Sequence, residues 1–288
     1  MTAERTPSIA VVGSVNLDIV ARVQQFPVPG ETVTDAVVER FPGGKGANQA
    51  LAAHRLGARV SMLACVGDDP AADEALSVLR DEGVDLSGCQ RLAGVSTGLA
   101  LILVAASGEN QIVVAPGANA AFEPARLALP EVDAAICQLE VPMATVHRAA
   151  TAGRHFFCLN AAPARAVPGE VLDHTDLLVV NEVEAAAIGD QLPGFRGLLA
   201  VTQGARGAML SRDGREIARA SPPAVEVVDT TGAGDAFTAA LTVALVSGLD
   251  PQAALARACA AGALATTRLG AQSSPLAAEL DHLGATLG

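Results

Sequence analysis

The sequence predicts an α/β fold in which a mainly parallel β-sheet is sandwiched between helices, with a small second sheet outside the main layer. Short apolar runs of strand length alternate with Ala-rich helical patterns along most of the 288 residues. Half of the residues are apolar, so both faces of a sheet can be covered. The alternation breaks at 98–119, where two β-type runs flank the polar turn 107–110, and this pattern indicates a hairpin.

The elements of the N-terminal part are predicted in order from these patterns. The apolar run 8–12 indicates a buried first strand, and the rough alternation of 32–40 indicates a strand with one exposed face. An Ala-rich helix is predicted from Gly46 to Gly57. A second buried strand follows at 60–66, and Asp69-Pro70 begins the next helix.

Strand and helix patterns alternate again after the hairpin, and long Ala-rich helices finish the chain. A second hairpin is predicted at 207–220, with its turn at 212–214. The parallel strands of this part are predicted at 134–139, 155–160, 176–181 and 198–202.

Composition and charge exclude several classes of function. The net charge of −12 disfavours nucleic-acid binding, which depends on Lys and Arg. The longest apolar stretch, 236–246, is shorter than the ~20 residues of a membrane span, and the N-terminal apolar run is too short for a signal peptide. We therefore expect a soluble, cytoplasmic protein without a membrane partner. The five cysteines stand singly, which disfavours structural zinc: Cys65, Cys89, Cys137, Cys158 and Cys259.

Polar residues follow the predicted strands, on the side where parallel sheets bind ligands. After the first strand, Asn16 and Asp18 alternate and point the same way if the segment is extended, and this pair of side chains suits neutral hydroxyls. An Asx-type turn is the alternative. Glu140 follows another strand, either as a ligand contact or as a first-turn helix charge. Asn181, Glu182 and Glu184 follow a third, and the two acids could organise water around hydrated Mg²⁺.

Two Gly-rich segments precede predicted helices. The segment 41–48 is not a P-loop, because Gly46 rather than Ser or Thr follows Lys45. It leaves a helix N-terminus whose N–H groups, with Lys45 and Asn48, could hold an oxygen-rich ligand. In the second, 229–237, the N–H groups of residues 232–234 can hold a phosphoryl group while Asp235 takes a proton from a hydroxyl. The alternative is that Asp235 only favours the helix dipole.

These motifs resemble those of the PfkB carbohydrate kinase family. GGKGANQA (43–50) is similar to the first signature of the family and DTTGAGDAF (229–237) to the second, and GSVNLD, PGETV, PGANA, NAAPAR, NEVE and TQGARG match in the same order. Within the family the chain resembles the ribokinases. The resemblance implies one ribokinase-like α/β domain over 1–288, a β-sheet lid from about 14–42 and 98–115, and a homodimer formed through that lid.

The implied activity is ATP-dependent phosphorylation of D-ribose at its 5-hydroxyl, with Asp235 as base and Gly232, Ala233 and Gly234 as the anion hole. Carried over by motif, the sugar contacts are Asn16, Asp18, Gly44, Lys45, Asn48, Glu140 and Asp235. The contacts to ATP and its Mg²⁺ that the resemblance implies are Asn181, Glu184, Thr202, Gly204, Ala205, Arg206, Gly207, Gly234 and Cys259. A monovalent cation, K⁺, is implied mostly on backbone oxygens of Asp229, Thr231, Ala265, Arg268, Gly270 and Ser274.

Three departures from ribokinases affect the predictions. The connection 181–197 is short, so one helix is expected to be shortened or lost. Cys259 stands where related chains carry an amide near adenine, and NAAP replaces the more usual NPAP. Two other hypotheses stay open: another sugar or nucleoside kinase of the family, and a non-catalytic sugar-binding regulator. The absence of Tyr and Trp disfavours a nucleoside, and the retained Asp235 disfavours a regulator.

Overall fold

The computed structural model describes residues 5–287 and contains two β-sheets flanked by helices. The strands, in chain order, are β1 (Ser8–Val12), β2 (Asn16–Val23), β3 (Val37–Gly43), β4 (Arg59–Gly67), β5 (Asp85–Leu92), β6 (Gly98–Ala105), β7 (Asn110–Ala115), β8 (Ala134–Gln138), β9 (Phe156–Asn160), β10 (Leu177–Asn181), β11 (Leu198–Thr202), β12 (Ala208–Arg212) and β13 (Arg215–Ala220).

The α-helices are α1 (Lys45–Arg55), α2 (Pro70–Ala75), α3 (Ser77–Glu82), α4 (Met143–Thr151), α5 (Gly169–Leu172), α6 (Glu182–Ile188), α7 (Ala233–Val246), α8 (Pro251–Ala265) and α9 (Ala277–Leu287). Short 3₁₀ helices lie at Gly117–Ala121, Pro124–Arg126, Gly189–Gly194 and Gly204–Arg206. Among the residues the structure describes, no helix has the length and apolar character that crossing a membrane requires.

The larger sheet has nine strands in the order β13-β12-β11-β10-β9-β8-β1-β4-β5. From β11 to β5 every neighbouring pair is parallel, while β12 and β13 add an antiparallel edge. Successive residues of β1 alternate between two buried clusters, Ile9 and Val11 on one face and Ala10 and Val12 on the other. Helices therefore cover both faces, and the predicted α/β sandwich is confirmed.

The smaller sheet has four strands in the order β3-β2-β6-β7 and forms the lid. Its central pair, β2 and β6, is parallel, and the predicted hairpin forms the β6–β7 pair. The predicted strand 32–40 begins later, at Val37, because residues 32–36 stay outside the pairing. For Asn16 and Asp18 the sequence left an extended segment and an Asx-type turn open, and the structure shows the extended segment, strand β2.

Two further features belong to the main sheet: a short connection after β10 and the edge strand β5. The connection after β10 holds only the seven-residue α6 and then the 3₁₀ helix Gly189–Gly194, so the expected shortening of a helix is confirmed. The edge strand β5 has no counterpart among the predicted strands. Its sequence, DLSGCQRL, is polar at alternate positions and lacks the apolar run by which the buried strands are recognised.

Candidate active site

The polar residues predicted to follow the strands meet at the carboxyl ends of the parallel sheet, beneath the lid. Asp235 lies at their centre, in the first turn of α7, and is 5% exposed. Its Oδ2 atom accepts a hydrogen bond from the Asn48 amide at 2.9 Å, and its Oδ1 atom accepts one from Gln49 at 2.8 Å. A buried carboxylate with both oxygens bonded to amides has a fixed orientation.

The loop before Asp235 forms a pocket of backbone donors. Within residues 5–287, the N–H groups of Gly232 and Gly234 have no protein acceptor. The Ala233 N–H, the third predicted donor, instead donates to the Thr230 carbonyl at 3.3 Å, so this member of the predicted anion hole is wrong. Gly232 has a φ of 79°, and a Cβ there would lie 2.2 Å from the Ala271 carbonyl oxygen, so only glycine fits. A Cβ at Gly234 would meet open space. Free donors at the start of a 14-residue helix suit a phosphoryl group.

Asn16 and Asp18 lie on β2, and the Asp18 carboxylate is close enough to Asp235 for the two charges to repel. Their alternation along the strand puts both on one face, as predicted, and both are buried. The Asn16 Oδ1 atom accepts a hydrogen bond from Asn119 at 2.7 Å. A Cβ at Gly43 would lie 2.3 Å from an Asp18 carboxylate oxygen, so the glycine gives this side chain its space.

Charges of the same sign are concentrated here. Burial, with added repulsion from Glu140 and Asp235, raises the pKa of Asp18 to about 7. The carboxylate of Asp235 is the main cause of a raised pKa at Lys45, where burial acts in the opposite sense and Glu140 and Glu184 add to the rise. Lys45 is therefore held as a cation among carboxylates.

The N-terminus of α1 does not offer its backbone donors to a ligand, and this part of the prediction is wrong. The Lys45 N–H donates to a Glu140 carboxylate oxygen at 3.1 Å, and the Gly46 N–H donates to the Ser14 hydroxyl at 3.2 Å. The Asn48 N–H donates to the Gly44 carbonyl at 2.9 Å. Glu140 and Ser14, which follow β8 and β1, thus cap the helix, and the side chains of Lys45 and Asn48 remain for a ligand.

A cavity of about 560 Å³ opens beside the donor pocket. Its walls include six of the residues predicted for the nucleotide: Thr202, Gly204, Ala205, Gly207, Gly234 and Cys259. Phe237 and Ala233 of α7 also line the cavity. Burial raises the pKa of the Cys259 thiol to about 11, so the thiol is neutral, and it lies 3.6 Å from the Ala220 carbonyl oxygen. The cavity is large enough for a nucleotide and ends at the N–H pocket.

The other predicted nucleotide residues are placed differently. Asn181 and Glu184 form a reciprocal capping box on α6, in which each side chain accepts the backbone N–H of the other at 2.8 Å. Burial raises the pKa of Glu184, and hydrogen bonding to Asn181 and the charge of Lys45 oppose the rise. Arg206 pairs with both carboxylate oxygens of Glu182 at 2.7 Å, so its side chain is held at the surface.

The predicted cation residues lie in two neighbouring loops that Asp229 joins. Its carboxylate accepts bonds from the Thr231 N–H and hydroxyl on one side and from the Gly270 N–H, at 2.9 Å, on the other. Burial raises the pKa of Asp229, but these hydrogen bonds outweigh it and lower the pKa overall, so the carboxylate is ionised.

Among the other residues predicted to hold the cation, two have carbonyls that accept hydrogen bonds from side chains, and one has a side chain that forms an ion pair. The Ala265 carbonyl accepts the Ser273 hydroxyl at 2.8 Å, and the Ser274 carbonyl accepts a bond from Arg55 at 2.9 Å. The Arg268 side chain pairs with Glu279. In the described part of the chain, no three His, Cys, Asp or Glu residues form a metal-binding group.

Four residues of the site were missed by sequence reasoning. Ser14, Gln49 and Asn119 lie in the quoted motifs GSVNLD, GGKGANQA and PGANA, so the motifs themselves carried a signal, although none of the three was assigned a contact. Gln49 and Gln138 are completely buried amides. Sequence spacing gives no indication that they meet, because they come from α1 and β8.

Comparison with known proteins gives matches over almost the whole chain. Residues 6–278 match the family model described as pfkB family carbohydrate kinase. The chain is 38% identical over 296 residues to a ribokinase of Bacillus subtilis (strain 168), covering 96% of this chain and 99% of that protein.

Solved structures agree. The crystal structure of a ribokinase from Thermotoga maritima has a TM-score of 0.89 and 32% identity, covering 97% of this chain and 99% of that one. The structure of Arabidopsis thaliana ribokinase complexed with ribose and ATP has a TM-score of 0.86 and 29% identity, with the same coverage. The similarity thus extends over nearly the full length of each protein.

Proposed function

The chain belongs to the pfkB family of carbohydrate kinases, and we propose that it transfers the γ-phosphoryl group of ATP to the 5-hydroxyl of D-ribose. The products are ribose 5-phosphate and ADP. One observation carries the proposal: the buried Asp235 carboxylate is close enough to Asp18 of the lid for the two charges to repel, and it directly follows Gly234, which lines the cavity. A hydroxyl held against Asp235 therefore faces the end of a nucleotide held in the cavity.

The reaction needs one proton transfer and one in-line displacement. Asp235 accepts the proton of the 5-hydroxyl as its oxygen forms a bond to the γ-phosphorus. The bond from the γ-phosphorus to the β–γ bridging oxygen breaks, and that oxygen leaves with ADP. The free N–H groups of Gly232 and Gly234 stabilise the charge on the transferring group. Lys45 adds a positive charge beside Asp235.

The ribose hydroxyls are held by side chains rather than by the backbone of α1. The Asn48 Oδ1 atom is buried and, among residues 5–287, has no hydrogen-bond partner. A buried acceptor without a donor costs stability, and a sugar hydroxyl would supply the missing bond. Asp18, with a pKa of about 7, can accept from a hydroxyl when ionised and donate to one when protonated. Asn16 and Glu140 complete the sugar contacts.

Mg²⁺ and K⁺ are the proposed ions. Mg²⁺ neutralises phosphate charge when it is bound, and the oxygens of Asn181 and Glu184 would hold its water shell. K⁺ would be held by the Asp229 carboxylate with carbonyls of the two loops that it joins. Gly232 of the N–H pocket packs closely against the Ala271 carbonyl, so the second of these loops contacts the pocket directly. Asp229 and its partners would thus keep the Gly232 and Gly234 donors in place.

A homodimer through the lid is also proposed, in the cytoplasm. Large apolar side chains on the lid are exposed: Val37, Val38, Leu101, Ile112, Val113 and Val114. Leu101 of β6 pairs in register with Val113 of β7 and with Ile19 of β2, so these three side chains form an apolar row on one face of the lid, where Leu101 and Val113 are 49% and 65% exposed. Such a surface on a four-stranded sheet suits the same surface of a second copy.

The test is ADP formation from ATP and Mg²⁺ with D-ribose, 2-deoxy-D-ribose, D-fructose and adenosine, in potassium salt. Ribose is expected to give the fastest turnover, with a product whose phosphorus resonance couples to the two protons on C5. Faster turnover with another sugar would keep the mechanism and overturn the substrate. Binding of ribose without turnover by any acceptor would favour a non-catalytic sugar-binding protein.

A further inference from the structure

Beside Asp235, three buried amide side chains form a continuous hydrogen-bonded chain. The Gln49 Nε2 atom donates to Asp235 Oδ1 at 2.8 Å and to Asn160 Oδ1 at 3.0 Å. Gln138 in turn donates from its Nε2 atom to Gln49 Oε1 at 2.6 Å. Gln49 and Gln138 have no exposed surface, so neither can touch a sugar or a nucleotide.

The chemistry of these groups fixes the direction of the chain. An ionised carboxylate only accepts hydrogen bonds, so the Gln49 amino group must face Asp235. The Gln49 carbonyl then faces Gln138, which donates to it. Turning the Gln49 amide over would set two acceptors against each other at Asp235, a costly arrangement in a buried site. Gln138 therefore holds Gln49 in the one orientation that binds Asp235.

The backbone is arranged around this chain. A Cβ at Gly13 would lie 2.0 Å from Gln138 Oε1, so glycine at the end of β1 makes the space that the amide fills. Gln138 and Asn160 are register partners on β8 and β9, and the Asn160 amide donates to the Val179 carbonyl at 3.3 Å. The chain of amides is thus anchored on three neighbouring strands of the main sheet.

We infer that Gln49 and Gln138 are positioning residues, which hold the Asp235 carboxylate in the orientation that accepts the proton of the sugar hydroxyl. This inference rests on the proposed function. Asn48 binds the other carboxylate oxygen, so the two adjacent amides of α1 together stop rotation about the Asp235 Cβ–Cγ bond. A small misorientation of a reacting group reduces the rate strongly, while substrate binding by other contacts remains.

The test is steady-state kinetics with ribose for Gln49→Met, Gln138→Met and the double variant. Methionine keeps the length of the side chain and removes its hydrogen bonds. Gln49→Met is expected to lower kcat about 10- to 100-fold, the cost of losing alignment, with the KM for ribose within about threefold of wild type. Gln138→Met is expected to lower kcat by a smaller factor. The double variant should be no slower than Gln49→Met, because Gln138 acts through Gln49.

Gln252→Met is the matched control, since Gln252 is an exposed amide that bonds Arg219 away from the site, and it should match wild type. Unchanged kcat in the two single variants, or equal losses that multiply in the double variant, would overturn the inference. If Gln49→Met does not fold, Gln138→Met decides, because it leaves every bond to Asp235 in place. A lack of ribose-dependent ADP formation in wild type and Gln252→Met alike would overturn the proposed function, and this inference with it.

Discussion

Asn48 and Asp235 are separated by 187 positions in the sequence, yet the Asn48 amide nitrogen lies 2.9 Å from an Asp235 carboxylate oxygen. Each belongs to one of the two signature motifs, and each lies in the first turns of a helix, α1 or α7. The two helices pack against each other, so helix packing brings the sugar-binding motif to the proposed base. The predictions below test the roles of the residues around this pair.

The first prediction concerns stability and the charge of Asp18. In the unfolded chain an Asp side chain has a pKa near 4, and in the folded protein burial raises the pKa of Asp18 to about 7. As pH rises from about 4 to 7, the unfolded chain releases this proton and the folded protein keeps it. The free energy of unfolding therefore falls across that window, and Asp18→Asn does not suffer this loss.

We expect Asp18→Asn to raise the free energy of unfolding at pH 8 by about 2–4 kcal/mol and to change it little at pH 4. Chemical denaturation at both pH values measures this difference. The same variant should bind ribose more weakly, because it loses the carboxylate. A variant that is less stable than wild type at pH 8 would show that Asp18 is not under electrostatic strain.

The second prediction separates the two glycines of the N–H pocket. Gly234→Ala should fold normally, because its Cβ meets open space, and should lower kcat/KM for ATP about 10- to 100-fold by intruding on the phosphoryl group. Gly232→Ala should destabilise the protein, because its Cβ would collide with the Ala271 carbonyl. Gly248→Ala is the control, since its φ of 89° carries strain without a collision.

For Gly248→Ala we expect a loss of about 1 kcal/mol in stability and wild-type kinetics, from thermal denaturation and ADP release. Wild-type turnover in Gly234→Ala would contradict the placement of the phosphoryl group at this pocket.

The third prediction concerns Asp229 and the monovalent cation. Wild-type turnover is expected to rise when a large organic cation is replaced by K⁺, and K⁺ is also expected to raise the melting temperature. Asp229→Asn should lose both responses, because an amide lacks the negative charge that holds the ion. Parallel K⁺ titrations of melting temperature and of ADP release measure the two effects. A full K⁺ response in Asp229→Asn would place the ion elsewhere.

The fourth prediction concerns the apolar row on the lid. Leu101→Glu places a charge at the centre of the proposed dimer surface, and burying an unpaired charge is costly. Light scattering coupled to size-exclusion chromatography is expected to show a wild-type dimer and a monomeric Leu101→Glu variant. Leu249→Glu changes an exposed leucine in the connection between α7 and α8; this variant is the control and should remain dimeric. A monomeric wild type would rule out the lid dimer.

Much of the site could be predicted from sequence because its residues lie in short local motifs. Asn16 and Asp18 alternate on one strand, and residues 232–235 lie in one helical turn, so local geometry alone brings their functional groups together. The parallel strands were found because both of their faces are buried, which produces continuous apolar runs. Edge strand β5 has no such run and was missed.

Contacts between distant elements could not be predicted in this way. The N–H groups of α1 were expected to hold a ligand, but Ser14 and Glu140 cap them, and their approach depends on how β1 and β8 pair. The buried amides Gln49 and Gln138 likewise meet only because α1 packs against β8 in the folded protein. Gln49 lies in the first signature motif, but a local motif does not indicate which distant side chain its amide meets.

The most direct test of the account is the comparison of Asp235→Asn with wild type in two measurements on the same preparation. Ribose-dependent ADP formation is expected to fall about 10²- to 10⁴-fold, the usual contribution of a general base, because an amide cannot accept the proton. Ribose affinity from calorimetry is expected to stay within about fivefold, since the other sugar contacts remain. Loss of ribose binding together with turnover, or turnover that persists, would contradict the assignment of Asp235 as the base.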